Sequence, residues 1–156
     1  MDEANFLERC DGCGDCVAVC PHEAIFTYVP DAPVVGGTPV MKPERRPCHM
    51  CEGFPCSTVC PTGALLPVSS WWLGEVRISE ADCFTYRGPE CGACANLCPT
   101  ETMALTMRGR HPQIAREHCV GCGLCIAACP TSPKAIELLP YEPRTQRAPE
   151  TAGAST

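Results

Sequence analysis

Hydrophobic residues in this chain occur in short groups separated by cysteine, proline or glycine, so no long helix or strand is predicted. One pattern occurs four times, in which a Cys-Pro pair is followed within a few residues by alanine and a large aliphatic residue. These alanine–aliphatic pairs are Ala24-Ile25, Ala64-Leu65, Ala104-Leu105 and Ala135-Ile136. Aliphatic residues directly after a turn favour extended backbone, so each pair is predicted to begin a short strand.

The segments between these strands have their own patterns. Val76-Arg77-Ile78 and Gln113-Ile114-Ala115 are also predicted to be extended. Small apolar residues such as Ile126-Ala127-Ala128 predict a short helix. Residues 28–47 are rich in proline and glycine and are predicted to cross the surface. The composition of the segment from Tyr141 onward predicts an extended tail without regular structure.

The cysteines follow the same fourfold repeat, with the first cysteine of each run at residue 10, 48, 83 or 119. The four runs are Cys10, Cys13, Cys16 and Cys20; Cys48, Cys51, Cys56 and Cys60; Cys83, Cys91, Cys94 and Cys98; and Cys119, Cys122, Cys125 and Cys129. Every run ends in Cys-Pro. The fourth run reads C-x2-C-x2-C-x3-C-P, a spacing typical of [4Fe–4S] ligation, in which the fourth cysteine binds the neighbouring cluster. The runs therefore predict four clusters.

Composition supports a scaffold held by metal bonds. The 156 residues include 16 Cys, 17 Pro and 13 Gly, while aromatic residues make up 6%. Such a chain builds only thin hydrophobic cores, so crosslinks must supply much of the stability. Zinc sites usually join two C-x2-C pairs across a dozen or more residues, which is not this pattern. A disulfide framework would need an oxidising compartment.

Location and charge restrict the possible partners. The start of the chain, Met1-Asp2-Glu3-Ala4-Asn5, has no apolar signal segment, so we expect a cytoplasmic protein. No apolar run approaches the length of a membrane-spanning helix. The formal charge is −6, and four clusters would lower it to roughly −14. Nucleic acid is therefore not an expected partner.

Residues outside the cysteine runs give weaker signals. His22, His49, His111 and His118 are interpreted as surface residues, although His49 and His118 could donate hydrogen bonds to cluster sulfur. Trp71-Trp72 either cover a cluster between the two halves or form a docking patch for a redox partner.

No catalytic constellation is found in the sequence. It contains no phosphate-binding glycine loop and no dinucleotide fingerprint. All sixteen cysteines are used by four complete clusters, so no cysteine remains as a nucleophile. The sequence thus predicts an electron-transfer protein that is not itself an enzyme.

Residues 6–140 resemble the four-cluster ferredoxin-type accessory proteins of periplasmic nitrate reductase and methylamine-utilisation systems. The resemblance is carried by Phe6-Leu7, by the segment from Cys48 to Leu65 with its Glu52-Gly53-Phe54-Pro55 insert, by the long-gap third run and by Gly121-Cys122-Gly123. A wider similarity is to polyferredoxin subunits of molybdenum and tungsten oxidoreductases, such as a tungsten aldehyde oxidoreductase.

The resemblance implies an α+β fold of two ferredoxin-like two-cluster modules packed into one small iron–sulfur protein. It also implies nested pairing of the first run with the fourth and of the second with the third. The ligand sets would be Cys10, Cys13, Cys16 and Cys129; Cys119, Cys122, Cys125 and Cys20; Cys48, Cys51, Cys56 and Cys98; and Cys83, Cys91, Cys94 and Cys60. Sequential pairing of neighbouring runs is the alternative.

Nested pairing implies an outer module of residues 1–33 with 104–140, an inner module of residues 44–103 and a tail of residues 141–156. The implied function is electron relay to or from a molybdenum or tungsten oxidoreductase subunit. The second partner would be another carrier or another copy of the chain, with contacts at the tail and near Trp71-Trp72 and Phe54-Pro55. The alternative is an accessory protein for cluster insertion or enzyme maturation.

Overall fold

The computed structural model describes residues 3–27, 37–65, 72–99 and 103–139. The short helices are α1 (Glu3–Arg9), α2 (Asp15–Val19), α3 (Pro55–Thr58), α4 (Phe84–Arg87) and α5 (Leu124–Ala128). The strands are β1 (Ile25–Thr27), β2 (Pro39–Met41), β3 (Glu75–Ile78), β4 (Leu105–Arg108), β5 (His111–Ile114) and β6 (Ile136–Leu139). Trp71 and the predicted tail of residues 141–156 lie outside the described residues.

The strands form three antiparallel pairs, which divide the chain into two modules. β1 pairs with β2, and α2 packs against both α3 and β1. We call this part, residues 3–65, the first module. In the second module, residues 72–139, β4 pairs with β5 as a hairpin and β3 pairs with β6. The second module is thus closed by its own first and last strands.

This pairing corrects the predicted outer and inner modules. β3 belongs to the predicted inner module, residues 44–103, and β6 to the predicted outer one, residues 104–140, yet Val76 is opposite Leu138 in one ladder. β1 and β2, in turn, pair with each other, with Ile25 opposite Met41. Neighbouring runs, and not nested ones, therefore share a module.

Most predicted strands are confirmed. β1, β4 and β6 begin at Ile25, Leu105 and Ile136, directly after the repeated alanine. Ala64-Leu65 is the exception, since it lies in a bend. β2 was not expected inside the proline-rich segment 28–47, where Pro39 is tolerated because the two-stranded sheet leaves edge positions that need no N–H donor. The described residues contain no helix long and apolar enough to cross a membrane.

The hydrophobic core is small, as the composition predicts. One cluster of buried residues lies in the second module and contains Val76, Leu105, Ile126 and Ile136 together with alanine and cysteine. All four repeated alanines, at positions 24, 64, 104 and 135, are buried. A side chain as small as alanine lets the strand approach the preceding cysteine closely.

The two modules meet at the second and fourth cysteine runs. The Cys48 N–H donates a hydrogen bond of 2.8 Å to the Cys122 carbonyl oxygen. Next to it, Gly123 has φ +88°, and a Cβ at this position would collide with the Pro43 side chain and lie 3.1 Å from Pro43 Cα. Glycine is therefore required here both by the backbone and by the contact with the first module.

Gly14 provides a matched comparison for this contact. It precedes α2 as Gly123 precedes α5, it has φ +84°, and a Cβ there would meet nothing within 4 Å. We expect Gly14→Ala to cost about 1 kcal/mol of backbone strain alone. Gly123→Ala should add about 1–3 kcal/mol from the collision. Thermal unfolding of both iron-loaded variants at one heating rate checks this, and equal melting temperatures would contradict the described contact.

Candidate metal centres

Cysteine thiols gather in four sets, and the first set combines the first two runs. Cys10, Cys13 and Cys16 line one cavity together with Cys60, the last cysteine of the second run. α2 positions Cys16, while Cys10 and Cys13 lie in the segment between α1 and α2. Cys13 is exposed, so this set lies at the surface.

The second set contains Cys48, Cys51 and Cys56 with Cys20, the last cysteine of the first run. Burial raises the pKa of Cys48, and the charges of Cys51 and Cys20 raise it further. Burial likewise raises the pKa of Cys56, with added repulsion from Cys48 and Cys20. These four thiols are therefore close enough to interact.

The third set belongs entirely to the second module. Burial raises the pKa of Cys94, and three neighbouring thiols raise it further by charge repulsion. Those thiols belong to Cys83, Cys91 and Cys129. The set thus joins three cysteines of the third run to the last cysteine of the fourth run.

The fourth set has the reciprocal composition. Cys119, Cys122 and Cys125 line a cavity together with Cys98, the last cysteine of the third run. α5 begins just before Cys125 and ends before Cys129, so one turn of helix separates a thiol of the fourth set from a thiol of the third. The two sets of a module are neighbours for this reason.

These positions correct the nested assignment of the four last cysteines. Cys60 takes the place expected for Cys129, and Cys20 takes the place expected for Cys98. Cys129 lies with Cys94, and Cys98 lies with Cys125. The first three cysteines of every run stay together, as expected. Sequential pairing, the alternative, is the arrangement of the described residues.

Backbone N–H groups point at several of the last cysteines. Ala24 N–H donates to Cys20 Sγ over 3.3 Å, and Leu65 N–H donates to Cys60 Sγ over 3.4 Å. Leu105 N–H donates to Cys98 Sγ over 3.4 Å. The repeated alanine–aliphatic pair therefore returns an N–H donor to the cysteine before it. Such donors stabilise a thiolate.

The four sets form a row that does not follow chain order. The two sets of each module are neighbours, and the second and fourth sets meet through the hydrogen bond between Cys48 and Cys122. The charge of Cys48 also raises the pKa of Cys122, after the larger effects of burial and of its own module's groups. The order along the row is first, second, fourth, third.

Comparison with protein families agrees with this division. The profile of the 4Fe-4S dicluster domain matches residues 9–64 and again residues 83–133. The chain belongs to the 4Fe-4S dicluster domain family. Each match covers one pair of neighbouring runs, so the chain carries two dicluster domains and binds four [4Fe–4S] clusters.

Ferredoxin-type proteins of several bacteria align with most of this chain. It is 31% identical to the ferredoxin-type protein NapG of Haemophilus influenzae, over 91% of this chain and 57% of that protein. It is 33% identical to the methylamine utilization ferredoxin-type protein MauM of Methylorubrum extorquens, over 91% of this chain and 70% of that protein. The ferredoxin-type protein NapF of Escherichia coli is 30% identical, over 77% of this chain and 70% of NapF. No solved structure matches. The chain is thus a ferredoxin-type iron–sulfur protein.

The thiols of this dicluster protein fit [4Fe–4S] clusters chemically. Burial raises the pKa of Cys125 to about 12, with repulsion from neighbouring thiols, and burial raises the pKa of Cys16 to about 11. Four buried thiolates repel one another unless cations lie among them. Iron supplies that positive charge, and a cluster needs four thiolates.

His22, His49 and His118 are exposed, as expected, and His111 is half-buried. His22 and His49, which follow Cys20-Pro21 and Cys48, stack on each other with ring centroids 3.7 Å apart. Sequence reasoning overlooked Thr85 and Thr131, whose hydroxyls contact cysteine sulfur. A Thr two residues after a ligand cysteine is the signal that would have found them.

Cluster retention should depend on pH in the direction set by the raised thiol pKa values. Thiols such as Cys125 and Cys16 bind a proton at neutral pH in the iron-free chain, whereas the cluster needs thiolates, so assembly releases protons. We therefore expect cluster retention to fall as pH falls from 8 to 6, because protons compete with iron for the thiolates. Iron loss to a chelator, corrected for the chelator's own pH dependence, measures it. Retention that is independent of pH would contradict the prediction.

Proposed function

We propose that this chain relays electrons between a molybdenum or tungsten oxidoreductase and a second electron carrier or another copy of itself. When bound, each cluster supplies a reversible one-electron step. The observation that carries the proposal is the hydrogen bond of 2.8 Å from Cys48 N–H to the Cys122 carbonyl, which joins the two modules. It brings the second and fourth sets together, so the row is not interrupted at the module boundary.

The proposed ligand sets are those of the row. The first is Cys10, Cys13, Cys16 and Cys60; the second is Cys48, Cys51, Cys56 and Cys20; the third is Cys83, Cys91, Cys94 and Cys129; and the fourth is Cys119, Cys122, Cys125 and Cys98. Support comes from the shared cavities of the first and fourth sets and from the mutual repulsion of thiols in the second and third. The first and third sets are the two ends of the row.

The partner is proposed from chemistry and resemblance together. The wider similarity to subunits of molybdenum and tungsten oxidoreductases favours an enzyme of that class. The name of MauM links that relative to methylamine utilization. Sixteen cluster-binding cysteines must stay reduced until iron binds, which favours a reducing compartment, so the cytoplasm is the proposed location.

Two cysteine substitutions distinguish the proposed ligand sets from the nested ones. We expect Cys129→Ser to change the EPR signal that Cys91→Ser also changes, because both residues belong to the third set. Cys60→Ser should instead change the signal affected by Cys13→Ser, since those two share the first cavity. If Cys129→Ser altered the signal marked by Cys13→Ser, nested ligation would be correct and the proposed sets wrong.

The relay function is tested in the complex that co-purifies with the chain. The partner enzyme should reduce a small dye equally well with wild-type chain and with Gly123→Ala, because the dye bypasses the row. Electron transfer to the natural acceptor should slow several-fold in Gly123→Ala and not in Gly14→Ala. Of these two glycines, only Gly123 contacts the other module. An enzyme that stays fully active toward its acceptor after the chain is removed would favour the maturation role instead.

A further inference from the structure

Two buried hydroxyl groups touch the cysteine sulfurs of one set. Thr85 and Thr131 are only 5% and 8% exposed. Thr85 Oγ1 lies 3.3 Å from Cys83 Sγ, and Thr131 Oγ1 lies 3.2 Å from Cys129 Sγ. Both sulfurs belong to the third set, at one end of the row. The third set therefore has two hydroxyl contacts that are shielded from water.

The hydroxyls must be the donors in both contacts when iron is bound. A thiolate that ligates iron carries no proton, so it can only accept. Thr131 Oγ1 already accepts a hydrogen bond of 2.7 Å from Ala135 N–H, which leaves its proton directed toward Cys129. A hydroxyl that accepts one bond becomes a stronger donor in the next.

Donation to a ligand sulfur favours the reduced cluster, which carries one more negative charge. We propose that Thr85 and Thr131 make the third site the most easily reduced of the four, so that electrons collect at this end of the row. The inference deepens the proposed relay and rests on the third ligand set. It assigns the end of the row that passes electrons on to a partner.

Charge near Cys129 acts in the same direction. Lys134 Nζ donates to the carbonyl oxygens of Ala127 and Cys129, which holds a cation beside the third set. This positive charge stabilises an added electron on the third set.

A carboxylate lies beside the first set, at the opposite end of the row. Cys13 N–H donates a hydrogen bond of 3.1 Å to Asp11 Oδ1, which holds that carboxylate next to a cysteine of the set. Its negative charge disfavours an added electron on the first set.

Hydroxyl contacts elsewhere in the described chain are weaker. Thr62 Oγ1 lies 3.7 Å from Cys60 Sγ in the first set, and this contact is exposed to solvent. Thr100 follows Cys98 at the same spacing but lies outside the described residues. The buried pair in the third set is therefore the feature that the proposal uses.

The test is an anaerobic redox titration of the full iron-loaded chain, followed by EPR. The third site is identified by the signal that Cys91→Ser changes, which is independent of the fourth ligand. Thr85→Val and Thr131→Val should each lower the electron affinity of that site about tenfold, or about 59 mV for one electron. Thr131→Ser keeps the hydroxyl and should leave the potential near that of the wild type.

Ser57→Ala is the matched control, because Ser57 is 4% exposed and donates to the Leu65 carbonyl over 3.0 Å without a sulfur contact. Its third-site potential should not change. The proposal is overturned if the third site is not the first to be reduced, or if Thr85→Val leaves its potential unchanged at full iron content. If Thr131→Val fails to bind iron, Thr85→Val still tests the proposal. Thr85 contacts Cys83, so the result for Thr85→Val does not depend on which cluster Cys129 ligates.

Discussion

The exchange of the last cysteine between neighbouring runs is the constraint on which the rest of the structure depends. One turn of helix, α2 or α5, separates the third and fourth cysteines of a run, so a single helix places thiols in two different sets. The two sets of a module must therefore be neighbours. β1, β4 and β6 then have little freedom, because each begins a few residues after a Cys-Pro pair. The N–H groups of Ala24 and Leu105, at the start of β1 and β4, point back at the cysteine of that pair.

Local chemistry was predictable from the sequence because it depends on spacing. Cysteines three residues apart can reach one cluster only if the backbone curls around it, whatever lies elsewhere in the chain. The strands that begin at Ile25, Leu105 and Ile136 were predictable for the same reason. Ala64-Leu65 and Pro39–Met41 were not, because a bend or an edge strand there depends on what lies alongside.

The pairing of runs was beyond the reach of sequence spacing. All four last cysteines lie in the same Cys-Pro context, so none carries a signal for its partner. The length of the loop between two runs hardly affects which runs pair, since doubling a loop raises the entropic cost of closing it by only about 0.6 kcal/mol. What fixes the pairing is the ladder between β3 and β6 together with the hairpin of β1 and β2, and these depend on packing over long distances.

The exchange of last cysteines also limits how such a protein can change in length during evolution. A run cannot be gained or lost singly, because its loss would remove three ligands from one cluster and one from the neighbouring cluster. The smallest segment that can be gained or lost without leaving an incomplete cluster is a pair of adjacent runs with their strands. The two sets of each module are adjacent in the row. A chain shortened by one pair of runs therefore loses two adjacent clusters and keeps the other two with all their ligands.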